Sequence, residues 1–90
     1  MRVKFFATYR DITGVKEEDI PAPPDVWTLL LILCDRYSGF RVELLSADGT
    51  DISDEPIILI NGRNICHISG KDTPLCECDT VSLFPMVAGG

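Results

Sequence analysis

Ninety residues suffice for one domain and not for two, and a chain this short buries only about 60–65% of its unfolded surface, so its core is small. Hydrophobic residues make up 46% and charged residues 24%, the composition of a folded domain rather than a disordered one. Fourteen acidic residues against eight basic give a formal charge of −6. That balance opposes binding to nucleic-acid phosphates or an anionic membrane surface, favours a basic partner surface, and by itself serves to keep a small domain soluble.

The opening Met1-Arg2-Val3-Lys4 is not followed by an apolar region and a small-residue cleavage site. The longest apolar stretch, Val26 to Cys34, contains Thr28 and falls well short of the ~20 residues a bilayer span needs. A cytoplasmic address is expected, and with it reduced thiols at Cys34, Cys66, Cys76 and Cys78.

Residues Arg2 to Arg10 read as a strand, with Val3, Phe5, Ala7 and Tyr9 facing a core and Arg2, Lys4, Phe6, Thr8 and Arg10 facing away. Asp11 to Gly14 is a turn, and Val15 to Ile20 a second strand paired with the first as a hairpin. Pro21, Pro23 and Pro24 end it, because proline cannot donate to a ladder. Asp25 stands at an N-cap, and the spacing predicts a helix from Val26 to Tyr37 that stops near Gly39, a residue suited to a left-handed C′ position. Val26, Leu29, Leu30, Leu33 and Tyr37 form its buried face. Trp27, Leu31 and Cys34 form a second apolar line, to be covered by the following loop or left as an interaction surface.

Phe40 to Ser53 reads as irregular. Ile57 to Ile60 is strongly β-prone, Asn61-Gly62 signals a tight turn, Ile65 to Ile68 continues the hairpin, and Gly70 to Pro74 is loop. Thr80 to Met86 is the last strand, with Val81 and Leu83 inward and Ser82, Phe84 and Met86 outward. The order β-β-α-β-(β)-β is that of an α+β, β-grasp domain, a mixed sheet packed on one main helix, although pattern alone leaves other α+β arrangements open. Residues 1–86 form this domain and 87–90 a flexible C-terminal Gly-Gly tail.

The tail reads Val87-Ala88-Gly89-Gly90 and directly follows a strand. A carboxylate that must enter another protein's catalytic channel needs a slender lead, which residues lacking Cβ supply. Such a carboxylate becomes an acyl donor once adenylated: the Gly90 carboxylate attacks the α-phosphate of ATP, and sulfur from a persulfide then displaces AMP to leave a thiocarboxylate. No Gly-rich phosphate loop of the P-loop or dinucleotide type is present, so the chain binds no cofactor itself and a separate activating enzyme uses the ATP.

The segments Phe5-Phe6-Ala7, Asn61-Gly62-Arg63-Asn64-Ile65, Gly70-Lys71-Asp72-Thr73-Pro74-Leu75 and Asp79 to Gly90 resemble the MoaD/ThiS family of ubiquitin-like sulfur carriers, and within it the MoaD type. The resemblance spans nearly the whole chain, and its specific part is the last twelve residues. It implies a ubiquitin-like β-grasp fold and a Gly90 that is adenylated by a MoeB/ThiF-like activating enzyme and thiocarboxylated. It further implies that, docked in a MoaE-like large subunit, the tail gives sulfur to a pyranopterin precursor in molybdenum or tungsten cofactor synthesis. Val87, Ala88 and Gly89 would thread the tail, and Phe84, Pro85 and Met86 would sit at the docking surface. The chain would act alone as a carrier and not as a catalyst, becoming the sulfur-donating subunit of a molybdopterin synthase. A protein modifier joined through Gly90 to lysines, and a carrier for thiamin or tRNA thiolation, are the alternatives.

Alternation separately places Phe6 and Phe84 on the sheet face opposite the helix, as an exposed partner patch or packed under a crossing loop. Two positions depart from the family pattern: Pro85-Met86 replaces a pair of prolines, and Glu77-Cys78-Asp79 replaces Asp-Gly-Asp. A left-handed Cys78 would cost roughly 1–2 kcal/mol; a different turn type would avoid that. Cys76-Glu77-Cys78 lacks the spacing of a zinc knuckle, and with Cys66 and His67 it is expected to hold no metal. The run Glu17-Glu18-Asp19 is a solvated strand edge.

Overall fold

A computed structural model describes residues 1–86 of the chain; Val87, Ala88, Gly89 and Gly90 lie outside the described residues, and with them the expected tail. The first strand, β1, covers Arg2–Phe5, with Val3 and Phe5 fully buried. It stops there because the backbone turns at Ala7, which has φ 53° and ψ −131°, and the Tyr9 N–H donates to the Phe6 carbonyl at 3.1 Å. The expected strand to Arg10 is therefore corrected: Thr8–Thr13 is a short helix, α1, closed by a left-handed Gly14. Alternation and a helical turn both bury Tyr9, so its inward reading holds although its element was misread, while Ala7 is exposed.

Strand β2, Glu17–Asp19, is shorter than the run from Val15 to Ile20 and pairs antiparallel with β1. The Asp25 carboxylate accepts from the Thr28 N–H at 2.8 Å and from its hydroxyl at 2.7 Å, capping α2, Val26–Arg36. Val26, Leu29, Leu30 and Leu33 are buried as the spacing requires, and Tyr37 is half-buried with its hydroxyl donating to Glu18. Gly39 is not a left-handed cap: its φ is −71°, and it leads into a further helix, α3, Phe40–Leu44, where irregular chain was expected. Phe40 drives this, because its fully buried ring meets those of Phe5, Tyr9 and Tyr37.

Strand β3, Pro56–Ile60, turns through Asn61 and Gly62, both at positive φ, into β4, Arg63–Asn64. The hairpin goes no further. The Asn64 side chain accepts from the Cys66 N–H at 2.9 Å and starts a 3₁₀ turn over Ile65–His67; a second spans Gly70–Asp72. Strand β5, Thr80–Pro85, buries Val81 and Leu83. The five strands form one sheet in the order β2-β1-β5-β3-β4, with β1 and β5 parallel at its centre and the other pairs antiparallel. One face packs on α2. This is the ubiquitin-like β-grasp fold.

The second apolar line of α2 is largely covered. The Lys71 ammonium lies 5.2 Å from the centre of the Trp27 ring, Cys34 packs against the core, and Leu31 remains exposed. No described helix is long and apolar enough to cross a membrane.

Candidate functional site: the outer sheet face at the exit of the last strand

The parallel pairing of β1 with β5 sets Phe5 beside Leu83, so the next residues, Phe6 just past the end of β1 and Phe84 within β5, lie side by side on the face away from α2. Their rings stack with centroids 4.3 Å apart and planes 9° from parallel. Each ring shields one face of the other, and both are half-buried. The Phe6 N–H donates to the Leu83 carbonyl at 3.1 Å, and the turn at Ala7 carries the chain away immediately afterwards. Phe6 is thereby held at the end of its strand.

Across β5, Ile57 is the register partner of Phe84, and Leu59 that of Ser82. Ile57 and Leu59 share the outer face, whereas Ile58 and Ile60 enter the core. The run Ile57-Ile58-Leu59-Ile60 is apolar throughout, so alternation alone could not pick out its outer half. Its placement next to β5 does. Ile57 and Leu59 thus extend the apolar strip beyond the pair read from sequence.

Pro85 ends β5 opposite Pro56, and the Met86 N–H donates to the Glu55 carbonyl at 2.7 Å. That bond holds the last described residue against the start of β3. The Met86 side chain is 55% exposed and borders a groove of about 370 Å³ whose walls include Ile57, Ile58, Ile65 and Cys66. Phe6 and Phe84 are therefore brought into contact, and Pro85 and Met86 follow Phe84 at the end of β5, with Met86 on the neighbouring groove; Val87, Ala88, Gly89 and Gly90 fall outside the described residues.

The opposite end of β5 is acidic. The Met1 amino group donates to Glu77 at 3.1 Å and to Asp19 at 3.3 Å, and the Glu77 carboxylate accepts from the Ala22 N–H at 2.6 Å. The Ala22 N–H, and after it the Met1 amino group, hold the Glu77 carboxyl below the usual range. Cys78 takes no left-handed conformation: its turn is closed by the Asp79 N–H on the Cys76 carbonyl at 3.0 Å, a different turn type from the glycine-containing one. The Cys76, Cys78 and Asp79 donor atoms lie within 4.8 Å of one another, and Cys66 and His67 are not part of that group. Contact with the Cys78 sulfur, together with Asp79, pushes the Cys76 thiol up. Burial does the same for Cys34.

The ThiS family model matches residues 3–90. The chain belongs to the ThiS family. It is 36% identical over 92 aligned residues to small archaeal modifier protein 3 of Haloferax volcanii, covering 100% of this chain and 98% of that one. Among solved structures, small archaeal modifier protein 1 of Methanosarcina acetivorans superposes with a TM-score of 0.84 at 33% identity, covering 99% of this chain and 94% of the other. A Pyrococcus furiosus protein assigned as molybdopterin converting factor, subunit 1, superposes with a TM-score of 0.75 at 30% identity, covering 96% and 95%. This ThiS-family member is a ubiquitin-like protein of the sulfur-carrier and modifier group.

Proposed function

We propose that the chain carries sulfur on its C-terminal Gly90, activated by a MoeB/ThiF-like enzyme that supplies ATP, and delivers it within a MoaE-like large subunit to a pyranopterin precursor. The observation that carries the reading is the stacked Phe6–Phe84 platform at the end of β5 from which the tail continues. A half-buried aromatic pair flanked by Ile57 and followed by the exposed Met86 gives a partner an apolar hold within reach of the tail's origin. Adenylation turns the carboxylate oxygen into a leaving group; sulfur from a donor then takes its place as AMP departs. The chain's part is to dock, to present the tail, and to carry the acyl group.

Incubation with a cognate activating enzyme, ATP and a sulfur donor, followed by intact mass, tests the reading. The expected gain equals the exchange of one oxygen for sulfur and disappears when Gly90 is deleted. Absence of any ATP-dependent change at the tail would sink it. Addition of a MoaE-like subunit and the pterin precursor should then yield a dithiolene product.

A second reading shares the activation step: transfer of the Gly90 acyl group to a lysine of another protein. It is favoured by the full-length similarity to small archaeal modifier protein 3. Lysine adducts bearing a Gly-Gly remnant in cells, dependent on Gly90, would support it over the pterin acceptor.

A further inference from the structure

A pair of exposed thiols lies beyond the other end of β5, whose five strand steps span roughly 17 Å from Thr80 to Pro85. The Cys76 and Cys78 sulfurs are 2.6 Å apart, well inside ordinary sulfur–sulfur contact, and both residues are exposed. The turn is built to hold them so. Asp79 accepts from the Cys76 N–H at 2.9 Å through one carboxylate oxygen and from the Asn61 amide at 2.8 Å through the other. Between the cysteines, Glu77 is tied back to the Ala22 N–H and the Met1 amino group, so it does not separate the two sulfurs. Closing three residues into a ring constrains an unfolded chain very little, so a bond here would serve chemistry and not stability.

We propose that Cys76 and Cys78 form a reversible dithiol–disulfide pair, oxidised by a low-molecular-weight disulfide and restored by the corresponding thiol. One cysteine, as thiolate, attacks a sulfur of the external disulfide; its S–S bond breaks, and one thiol leaves with a proton. The neighbouring cysteine, deprotonated in turn, attacks the resulting mixed disulfide at the protein sulfur and expels the second thiol. Two protein thiols lose two electrons and two protons, and the external disulfide gains them. Cys34 is half-buried against the core, and Cys66 stands apart on the 3₁₀ turn after β4. The pair lies at the opposite end of β5 from Pro85, so its oxidation and the activation of Gly90 are expected to be separable.

The test treats the reduced, full-length protein with glutathione disulfide and reads intact mass and alkylation. Wild type should lose two hydrogens, retain no glutathione, and drop from four alkylatable thiols to two, with the bond mapped to Cys76–Cys78. Cys76→Ser and Cys78→Ser should stop at a mixed disulfide that keeps one glutathione, whereas Cys66→Ser should behave as wild type. Thiocarboxylation of Gly90 should proceed equally in the oxidised and reduced proteins; its absence from both would count against the carrier reading alone, and its loss on oxidation only would overturn the separation of the two. The proposal is overturned if wild type accumulates the glutathione adduct without losing two hydrogens, if the bond maps to Cys66, or if no reaction occurs. One zinc ion per chain retained by the reduced protein through gel filtration, and blocking alkylation of both cysteines, would likewise overturn it in favour of a metal site.

Discussion

Phe6 and Phe84 stack at 4.3 Å, although 78 positions separate them in sequence, because β1 and β5 run parallel and the two residues follow directly on the last register pair, Phe5 with Leu83. Truncation of either leaves the core intact, since both lie on the outer face, but removes half of the platform. Phe84→Ala is expected to weaken binding to the activating enzyme by about 10–100-fold, or roughly 1.4–2.8 kcal/mol, with a smaller loss of fold stability. Calorimetric titration beside urea denaturation checks this. Equal binding of variant and wild type would remove the platform from the docking surface.

Ala7 sits at φ 53° and ψ −131°, as the first central residue of a tight turn closed by the Tyr9 N–H on the Phe6 carbonyl. This turn geometry suits glycine, and the exposed Ala7 methyl contributes no packing to offset the strain. Ala7→Gly should raise stability by about 1 kcal/mol despite glycine's greater freedom when unfolded. A shift in the urea midpoint with an unchanged m-value is the readout; a destabilised variant would contradict the assigned turn.

Tyr9 is fully buried, and its hydroxyl has no hydrogen-bond partner among the described residues. Burial, reinforced by Glu43 and Glu55, pushes its ionisation well above the usual range, so the ring remains neutral. Tyr9→Phe removes an unsatisfied polar atom while keeping the contacts with Phe40. It should be at least as stable as wild type, by a gain of about 1 kcal/mol. Thermal unfolding of the pair checks this, and a clear loss would reveal a partner for the hydroxyl.

Asp48 accepts from the Ser46 hydroxyl and from the Thr50 hydroxyl and N–H, and these bonds hold its carboxyl at about 2 instead of 3.8. A carboxyl depressed in the fold stabilises it above the unfolded value and loses that contribution as pH falls through the folded one. The advantage of wild type over Asp48→Ala should therefore be fully present at about pH 6 and shrink between about pH 4 and pH 2. Urea titrations across that range measure it; a gap that stays constant with pH would show that the loop bonds do not depend on the charge.

What the sequence determined by itself was local. Asp25 followed by the Val26, Leu29, Leu30 and Leu33 spacing specifies α2, because a cap and a 3.6-residue period are properties of neighbouring residues. Asn61-Gly62 specifies the hairpin turn, and the alternation of Val81 and Leu83 with Ser82 and Phe84 specifies β5. The family too was legible, in the residues from Asp79 to Gly90. The tertiary structure decided what depends on residues distant in sequence. It ended β1 at Phe5, where the chain turns so that Tyr9 can meet Phe40, and it made a helix of Phe40–Leu44 because the Phe40 ring needs the same core. It also set β1 parallel to β5, which turned two alternating phenylalanines into one stacked platform and gave Ile57 its place beside Phe84. Burial of side chains against partners far along the chain outweighs local propensity, and no pattern confined to a few neighbouring residues records it.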